Sequence, residues 1–216
     1  MPSWEEDIFE VVFYYNRLEV ARVSDQGKIN TLLKSIGQLK KSGNIPVEIL
    51  EYYPTPLQNK GLDGKICVYR RGPCEPKINK RLSEEWNFKN SKLEGKSIEF
   101  ADFEENKTVW NYKNGKLDGV IKVLFYGEKR YSLRTYKNGK LHGPYKEYSS
   151  KESLLLEVNY VDGKKEGHEK GYYENGIIKS EINYINGKRD GITRYYYESG
   201  KLRNENGYKN GNDPAP

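Results

Sequence analysis

A turn motif that returns at a constant interval constrains the fold of this 216-residue chain more than any other feature. In its best copies, Asn114 and Asn138 each open the run Asn-Gly-Lys-Leu-x-Gly. Copies of the turn stand at 90–95, 114–119, 138–143, 162–167 and 186–191, with a partial copy at 210–211, so the period is twenty-four positions. Such a period indicates a small structural unit stacked on copies of itself, with clear repeats from 86 to 211.

Aromatic residues keep the same register as the turns. The position two residues before each turn holds Phe88, Tyr112, Tyr136, Tyr160, Tyr184 and Tyr208. The position five residues after each closing glycine holds Phe100, Leu124, Tyr148, Tyr172 and Tyr196. Columns this regular predict that equivalent side chains line up on one face of the stacked repeats, as a ladder along the sheet.

Each repeat is predicted to be one β-hairpin. Asn-Gly favours the type I′ turn, because both central residues of that turn need positive φ. The second glycine, four residues on, predicts a β-bulge or a close backbone approach. A second turn, clearest at 175–176 and 199–200 and weaker at 127–128 and 151–152, leaves two strands of about seven residues per repeat. The predicted fold class is mainly β: an extended, twisted antiparallel sheet of tandem hairpins.

Composition agrees with a thin sheet rather than a thick core. Hydrophobic residues make up only 35% of the chain, and that share includes 19 tyrosines. Tyrosine rings can pack on lysine and arginine stems while their hydroxyls stay in water. A chain with this composition is better suited to an extended structure than to a ball.

A degenerate unit is expected before the clear repeats. Residues 59–64 resemble the turn, but the step from Gly64 to Gly95 is seven positions longer than one period. That excess equals the length of 70–76, which looks like an inserted loop. We therefore expect the hairpin array to span 59–216.

Residues 1–58 predict a different, α+β structure. The ranges 8–15, 18–23 and 45–53 are strand-like. Ile29, Leu32, Leu33, Ile36 and Leu39 recur at helical spacing. A cap at Ser24 or Asp25 would begin this helix, and Gly43 would end it. The expected order over 1–58 is ββαβ, a small domain that caps the array, because repeat arrays need closed ends, or that gives partner specificity.

The repeat Tyr-x-Asn-Gly-Lys-Leu-x-Gly-x-x-x-x-Tyr resembles a MORN repeat, and more closely the bacterial MORN variant of YwqK-type antitoxins. The matching residues lie at 112–119 and 136–143, with copies around Gly163 and Gly187. The resemblance covers 86–211 and implies a repeat scaffold, since MORN repeats occur in scaffolds, lipid-associated proteins and predicted antitoxins. In its most specific form it implies an antitoxin or immunity role, in which the chain blocks a partner's active site.

The pattern of reactive residues does not predict an enzyme. The only histidines, His142 and His168, stand near turns without partners at metal-ligand spacing. The pairs Glu84-Glu85 and Glu104-Glu105 are interpreted as solvated charge, because adjacent strand residues point to opposite faces. Phosphate-binding, serine-hydrolase and zinc-protease motifs are absent from the sequence. We expect no catalytic residues, no metal site and no cofactor.

The basic surplus leaves alternatives open. The net charge is +6, and one lysine per repeat forms a column along a predicted sheet edge: Lys92, Lys116, Lys140, Lys164 and Lys188. With the tyrosines, this column would suit a nucleic acid or an anionic membrane. Acids follow two residues later in four of the five repeats, so we interpret the column as largely neutralised. A purely structural scaffold is the other alternative.

The amino-terminal sequence favours a cytoplasmic protein. Residues 1–10 include Glu5, Glu6 and Asp7 and no long apolar run, so neither a signal peptide nor a membrane span is expected. Cys67 and Cys74 are then expected to be free thiols, with a local disulfide as the alternative.

Protein–protein recognition is the function that these features favour. Tyrosine is enriched at recognition surfaces because it buries a large area with few rotatable bonds and has a polar tip. The candidate binding residues are Tyr145, Tyr148, Tyr172, Tyr173, Tyr195, Tyr196 and Tyr197. The sequence leaves open which sheet face they share, which protein they meet and how many copies of the chain associate.

Overall fold

The computed structural model describes residues 8–15, 18–45, 49, 63–71, 80–100, 107–125 and 130–212. These residues include seventeen β-strands and one long helix, so the predicted mainly β fold is confirmed. The chain divides into two compact units, Met1–Leu117 and Asp118–Pro216. Within each unit the strand pairs are antiparallel, and successive strands pair as hairpins.

The elements of the first unit are β1 (Ile8–Tyr15), β2 (Leu18–Val23), α1 (Gln26–Ser42), β3 (Gly64–Arg71), β4 (Lys80–Lys89), β5 (Lys92–Leu93), β6 (Gly95–Phe100), β7 (Lys107–Lys113) and β8 (Lys116–Leu117). Strand β1 lies between β2 and β3, and the pairing then follows chain order. The elements of the second unit are β9 (Gly119–Leu124), β10 (Tyr131–Lys137), β11 (Lys140–Tyr148), β12 (Leu154–Val161), β13 (Lys164–Tyr172), β14 (Ile178–Ile185), β15 (Lys188–Arg189), β16 (Gly191–Tyr196) and β17 (Leu202–Tyr208).

Helix α1 forms where the apolar spacing predicted it. The Asp25 side chain accepts a hydrogen bond from the backbone N–H of Lys28 at 2.9 Å, which caps the amino end. Gly43 ends the helix in the left-handed region, at φ 71°. The predicted ββα order is therefore confirmed. The predicted strand over 45–53 is wrong at the two residues described there, because Ile45 lies outside any strand and Ile49 is helical; the rest falls outside the described residues.

The apolar face of α1 supplies the main core of the first unit. Its buried residues are Ile29, Leu32, Ile36 and Leu39. They join strand residues Val11, Phe13, Ile66, Val68, Trp86, Phe88, Leu93 and Tyr112 in one cluster. Full burial of such a side chain stabilises the fold by about 1.5–3 kcal/mol, so this cluster fixes the helix on the sheet.

The Asn-Gly turns that open the repeat motif have the geometry that their sequence predicts, whereas the Asn175-Gly176 second turn has positive φ only at its glycine. The φ angles are 50° and 79° at Asn114-Gly115, and 52° and 83° at Asn138-Gly139. The same pair of positive angles occurs at Asp162-Gly163, Asn186-Gly187 and Asn210-Gly211. Positive φ at both central residues defines the type I′ turn, so this prediction is confirmed.

The second glycine of the motif lies in a bulge. Gly143 has φ 108°, and the β10–β11 register shifts opposite it, between Arg134 and Tyr136. A Cβ at this position would stand 3.2 Å from the Thr135 side chain, so the approach is also close. Glycine takes this backbone conformation without the steric strain that a side chain brings.

Each turn is also bonded to the hairpin before it. Its first N–H binds a side chain 20 residues earlier: Asn114 to Glu94 (2.7 Å), Asn138 to Asp118 (3.2 Å), Asp162 to His142 (3.4 Å), Asn186 to Glu166 (2.8 Å) and Asn210 to Asp190 (3.2 Å). In four of these turns the second N–H binds the carbonyl of the residue just before that side chain: Gly115 to Leu93 (2.8 Å), Gly163 to Leu141 (2.8 Å), Gly187 to Lys165 (2.9 Å) and Gly211 to Arg189 (2.8 Å). We call this pair of hydrogen bonds the inter-hairpin joint.

The side-chain bond of the joint also occurs at Asp63, in the degenerate turn motif. The N–H of Asn90 binds Asp63 at 2.6 Å, across 27 residues, which is the usual interval plus the seven of the expected insertion. Gly64 pairs with Phe88 as Gly95 pairs with Tyr112. The expected domain boundary at 58/59 falls outside the described residues and stays a prediction; strand β3, which follows it, pairs with β1.

Candidate binding surface

One face of the second unit presents the tyrosine column that the repeat spacing predicted. The Tyr172 hydroxyl donates to Glu157 at 2.7 Å, and the Tyr196 hydroxyl donates to Glu181 at 2.9 Å. Both bonds reach back 15 residues, so the two tyrosines are placed alike. Tyr148 occupies the preceding position of the column and stacks on Tyr131, with ring centroids 4.9 Å apart. We call the surface that carries Tyr148, Tyr172 and Tyr196 the ladder face.

Charges of alternating sign run beside these tyrosines. Directly opposed residues on successive strands are Lys146, Glu157, Lys170, Glu181, Arg194 and Glu205. Lys146 and Glu157 approach to 3.7 Å, and Arg194 and Glu205 to 2.7 Å. The row is therefore balanced in charge, and it holds the glutamates that accept from the tyrosine hydroxyls.

Aliphatic residues lie opposite the tyrosines across each second turn. Tyr148 faces Leu154, Tyr172 faces Ile178, and Tyr196 faces Leu202. The three tyrosines are half-buried, whereas Leu202 is 52% exposed. Half-buried rings beside aliphatic side chains give the ladder face an apolar strip next to its charged row, the mixture found at protein recognition surfaces.

The tyrosine hydroxyls on this face are held protonated. Desolvation and the hydrogen bond to Glu157 raise the pKa of Tyr172 to about 12. The hydrogen bond to Glu181 raises the pKa of Tyr196. A hydroxyl that stays protonated and donates to a fixed carboxylate restricts the orientation of its ring.

The seven predicted binding tyrosines do not share one face. Tyr145 and Tyr195 point to the side opposite the ladder face, where the Tyr145 hydroxyl bonds Glu147 at 2.5 Å. Tyr173 lies at a second turn and donates to the Tyr196 carbonyl at 2.8 Å. Tyr197 lies at the next one and is 52% exposed. The structure thus brings together Tyr148, Tyr172 and Tyr196, and the binding role of all seven stays a prediction.

The acids that follow the lysine column have a role that sequence reasoning missed. Asp118, Glu166 and Asp190 accept backbone N–H groups in the inter-hairpin joints. The exposed Lys140 instead lies directly opposite Lys137. The only sequence signal for the joint is an acid column at a fixed interval before the asparagine column. Two like charges therefore stand side by side at this turn edge, where they repel each other and make the edge locally basic.

The adjacent carboxylates Glu84 and Glu85, which were considered as a catalytic pair, both form ion pairs within the fold. Glu84, interpreted from sequence as solvated, is buried: it accepts from the Trp86 indole at 2.8 Å and pairs with Lys40 at 3.1 Å. Glu85 points the other way and pairs with Lys65, while Glu104-Glu105 lies outside the described residues. Burying a carboxylate requires such a pair. The two carboxylates thus lie on opposite faces, as predicted, but the prediction that Glu84 is solvated is wrong.

The Cys67 thiol is free and buried, and desolvation raises its pKa to about 11; Cys74 lies outside the described residues. Within the described ranges, clusters of three or more histidine, cysteine or carboxylate side chains that could hold a metal ion are absent. In the same ranges, helices long and apolar enough to cross a membrane are also absent.

Comparison with known proteins supports the repeat assignment. The family model of the MORN repeat variant matches residues 165–186 and 189–210, two adjacent repeats of the second unit. These segments contain Tyr172 and Tyr196 of the ladder face. No curated protein matches the chain. The matched repeats and the hairpin geometry together indicate a repeat scaffold of the kind that binds other molecules.

Proposed function

We propose that the second unit is a non-enzymatic, protein-binding scaffold and that its ladder face meets the partner. The observation that carries this proposal is the repeated Tyr172–Glu157 and Tyr196–Glu181 bond, which holds half-buried rings in equivalent positions. Rings that are already oriented offer contact area with little further loss of freedom. The balanced charges beside them supply polar contacts for register without attracting partners of one charge.

The most specific form of the proposal is an antitoxin or immunity role in the cytoplasm. It rests on the resemblance of the repeat sequence to the bacterial MORN variant. In that role the scaffold would cover the active site of a toxin and contribute no chemistry of its own. Inhibition would then require only that the ladder face binds, so variants that lose binding would lose inhibition in the same proportion.

The test compares tyrosine variants of the full chain. Tyr172→Ala with Tyr196→Ala removes two adjacent rings of the ladder face. The partner is first identified by affinity capture from the native cell. The dissociation constant of its complex with each purified variant is then measured. Loss of a hot-spot ring typically costs about 2 kcal/mol or more of binding free energy, so we expect weaker binding with a small change in melting temperature.

Two matched variants make the result specific. Tyr172→Phe with Tyr196→Phe keeps the rings and removes the hydroxyl bonds, and we expect an intermediate loss of affinity. Tyr197→Ala removes an exposed tyrosine outside the ladder face and should leave affinity unchanged. Reduced stability with unchanged affinity in the double alanine variant would show that the column is structural. Affinity lost only in Tyr197→Ala would move the site to the second turns.

Binding of nucleic acid or an anionic membrane is the second candidate, and the opposed Lys137 and Lys140 at the turn edge favour it. Phosphate contacts release counterions, so binding of this kind falls steeply with salt. We expect only weak binding of single-stranded DNA or anionic vesicles near physiological ionic strength. Sub-micromolar affinity with a steep salt dependence would rank this function above protein binding.

A further inference from the structure

The joint between the hairpins that carry Asp162 and His142 differs from all the others in the described array. Asp162 stands in a turn position where the other repeats have asparagine, and His142 stands in an acceptor position where the others have a carboxylate. His142 Nδ1 accepts from the Asp162 N–H at 3.4 Å and lies 3.5 Å from the Asp162 carboxylate. An acidic turn residue therefore occurs only where the acceptor side chain is not acidic.

The neighbouring joint has the opposite composition. The Asn186 N–H binds the Glu166 carboxylate at 2.8 Å. An aspartate at 186 would set a second carboxylate beside Glu166, and like charges that close repel each other. The turn at this joint has the sequence Asn186-Gly187. Asn-Gly is the dipeptide in which asparagine most readily becomes aspartate without an enzyme, because glycine has no Cβ to shield its backbone nitrogen.

We propose that Asn186-Gly187 is a site of spontaneous deamidation and that the product breaks its inter-hairpin joint. The Gly187 nitrogen attacks the side-chain carbonyl carbon of Asn186, a five-membered succinimide closes, and ammonia leaves with the proton from that nitrogen. Water then opens the ring to give aspartate or isoaspartate. The net change is water in and ammonia out, so no oxidant or reductant takes part.

The fold controls when this reaction occurs. Asn186 and Gly187 are exposed, so water reaches the turn. In the closed joint the Gly187 N–H donates to the Lys165 carbonyl at 2.9 Å, which keeps its nitrogen from attacking. The reaction therefore proceeds when the joint opens by local unfolding. Once the new carboxylate has formed, its repulsion from Glu166 keeps the inter-hairpin joint from closing again. Modification at this site therefore weakens the contact between the two hairpins irreversibly.

Peptide mass spectrometry of the aged protein tests whether the site reacts. The full chain is incubated at mildly alkaline pH, folded in buffer and unfolded in urea, and Asn186→Asp serves as the variant that cannot gain mass there. We expect a gain of about one dalton in the peptide that contains Asn186, slower in buffer than in urea. Conversion in urea with none in buffer over the same period would overturn the proposal.

Melting temperatures test the consequence. Asn186→Asp should lower the melting temperature, and adding Glu166→His should restore it, because the pair then copies Asp162 and His142. Glu166→His alone is the control for losing the carboxylate acceptor. An unchanged melting temperature in Asn186→Asp, or no recovery in the double variant, would show that charge in the joint is not what the modification disturbs.

Discussion

Positive φ and close packing are separate constraints on glycine in this chain, and Gly43 and Gly95 differ in only one of them. Their φ angles are 71° and 73°. A Cβ on Gly43 would lie 1.7 Å from the Gly115 carbonyl oxygen, whereas a Cβ on Gly95 would meet nothing within 4 Å. Gly43 thus lets the end of α1 rest directly on the Asn114-Gly115 turn.

The two alanine variants should therefore differ in stability. Gly95→Ala should cost about 1–2 kcal/mol, the usual strain of a side chain in the left-handed region. Gly43→Ala should cost at least about twice that, because backbone atoms must also move apart. Urea unfolding of both variants measures the difference. Equal losses would mean that the contact with Gly115 yields easily and that only the φ angle matters.

The tyrosine hydroxyls predict a stability loss at alkaline pH. The pKa values of Tyr112, Tyr145 and Tyr172 are raised to about 12, by desolvation first in each case. In the unfolded chain a tyrosine titrates near 10. A group whose pKa is higher in the folded state stabilises fully below the unfolded value and loses that contribution as pH rises through the folded one.

The stability of the fold should consequently fall progressively as the pH rises from about 10 to about 12. Far-ultraviolet circular dichroism follows the folding, and tyrosinate absorbance follows the ionisation. Tyr172→Phe removes one of the three groups and should shift unfolding to higher pH. If tyrosinate absorbance rises fully near pH 10 while the sheet signal persists, the hydroxyls are not held in the way described.

At the scale of elements, Lys40 links helix α1 to the sheet through ion pairs and a cation–π contact. Its ammonium pairs with Glu84 at 3.1 Å and Glu99 at 3.0 Å, and it lies 4.7 Å from the centre of the Trp86 ring. Lys40→Ala leaves the buried Glu84 without its cation, which should cost about 2 kcal/mol after allowance for the partly exposed partners. The neighbouring exposed Lys41→Ala is the control for helix propensity.

Tryptophan fluorescence and thermal unfolding together measure this effect. Lys40→Ala should lower the melting temperature and change the emission of Trp86, whose indole donates to Glu84. Adding Glu84→Gln removes the uncompensated charge and should recover part of the loss. Equal melting temperatures for the Lys40 and Lys41 variants would show that the helix is held by its apolar face alone.

The elements were largely predictable from sequence, and their contacts were not. Periodicity identified α1, and Asn-Gly identified the turns, because each signal is local to the element it specifies. The acceptor role of Glu166 depends on a bond to Asn186, a distant position that spacing alone does not reveal. The seven predicted binding tyrosines lie on two faces and at two turns. Adjacent residues of a strand point to opposite faces, which separates Tyr195 from Tyr196, and β16 ends before Tyr197.

At the scale of the molecule, joints of constant length predict that whole repeats can be removed. Deleting 167–190 takes out one full period and gives Asn210 the place that Asn186 holds relative to Glu166, which restores the usual joint. The shortened chain should fold with the same kind of circular dichroism and a lower melting temperature, because each repeat adds its own stability and one interface.

A deletion one residue shorter is the matched control. Removing 168–190 shifts the register by one residue, which turns the side chains of each later strand to the wrong face. That variant should aggregate or unfold. Similar stability of the two shortened chains would show that the hairpins stack without regard to the joint.

The inter-hairpin joint has a direction. In each one, the later hairpin supplies the donors and the earlier hairpin supplies the acceptors, as when Asn186 binds Glu166 and Gly187 binds Lys165. A chain leaves the ribosome amino end first, and domains generally fold in that order. Each hairpin therefore emerges from the ribosome after the hairpin that supplies its acceptors. The hairpins can then dock one after another during synthesis, from the amino end to the carboxyl end.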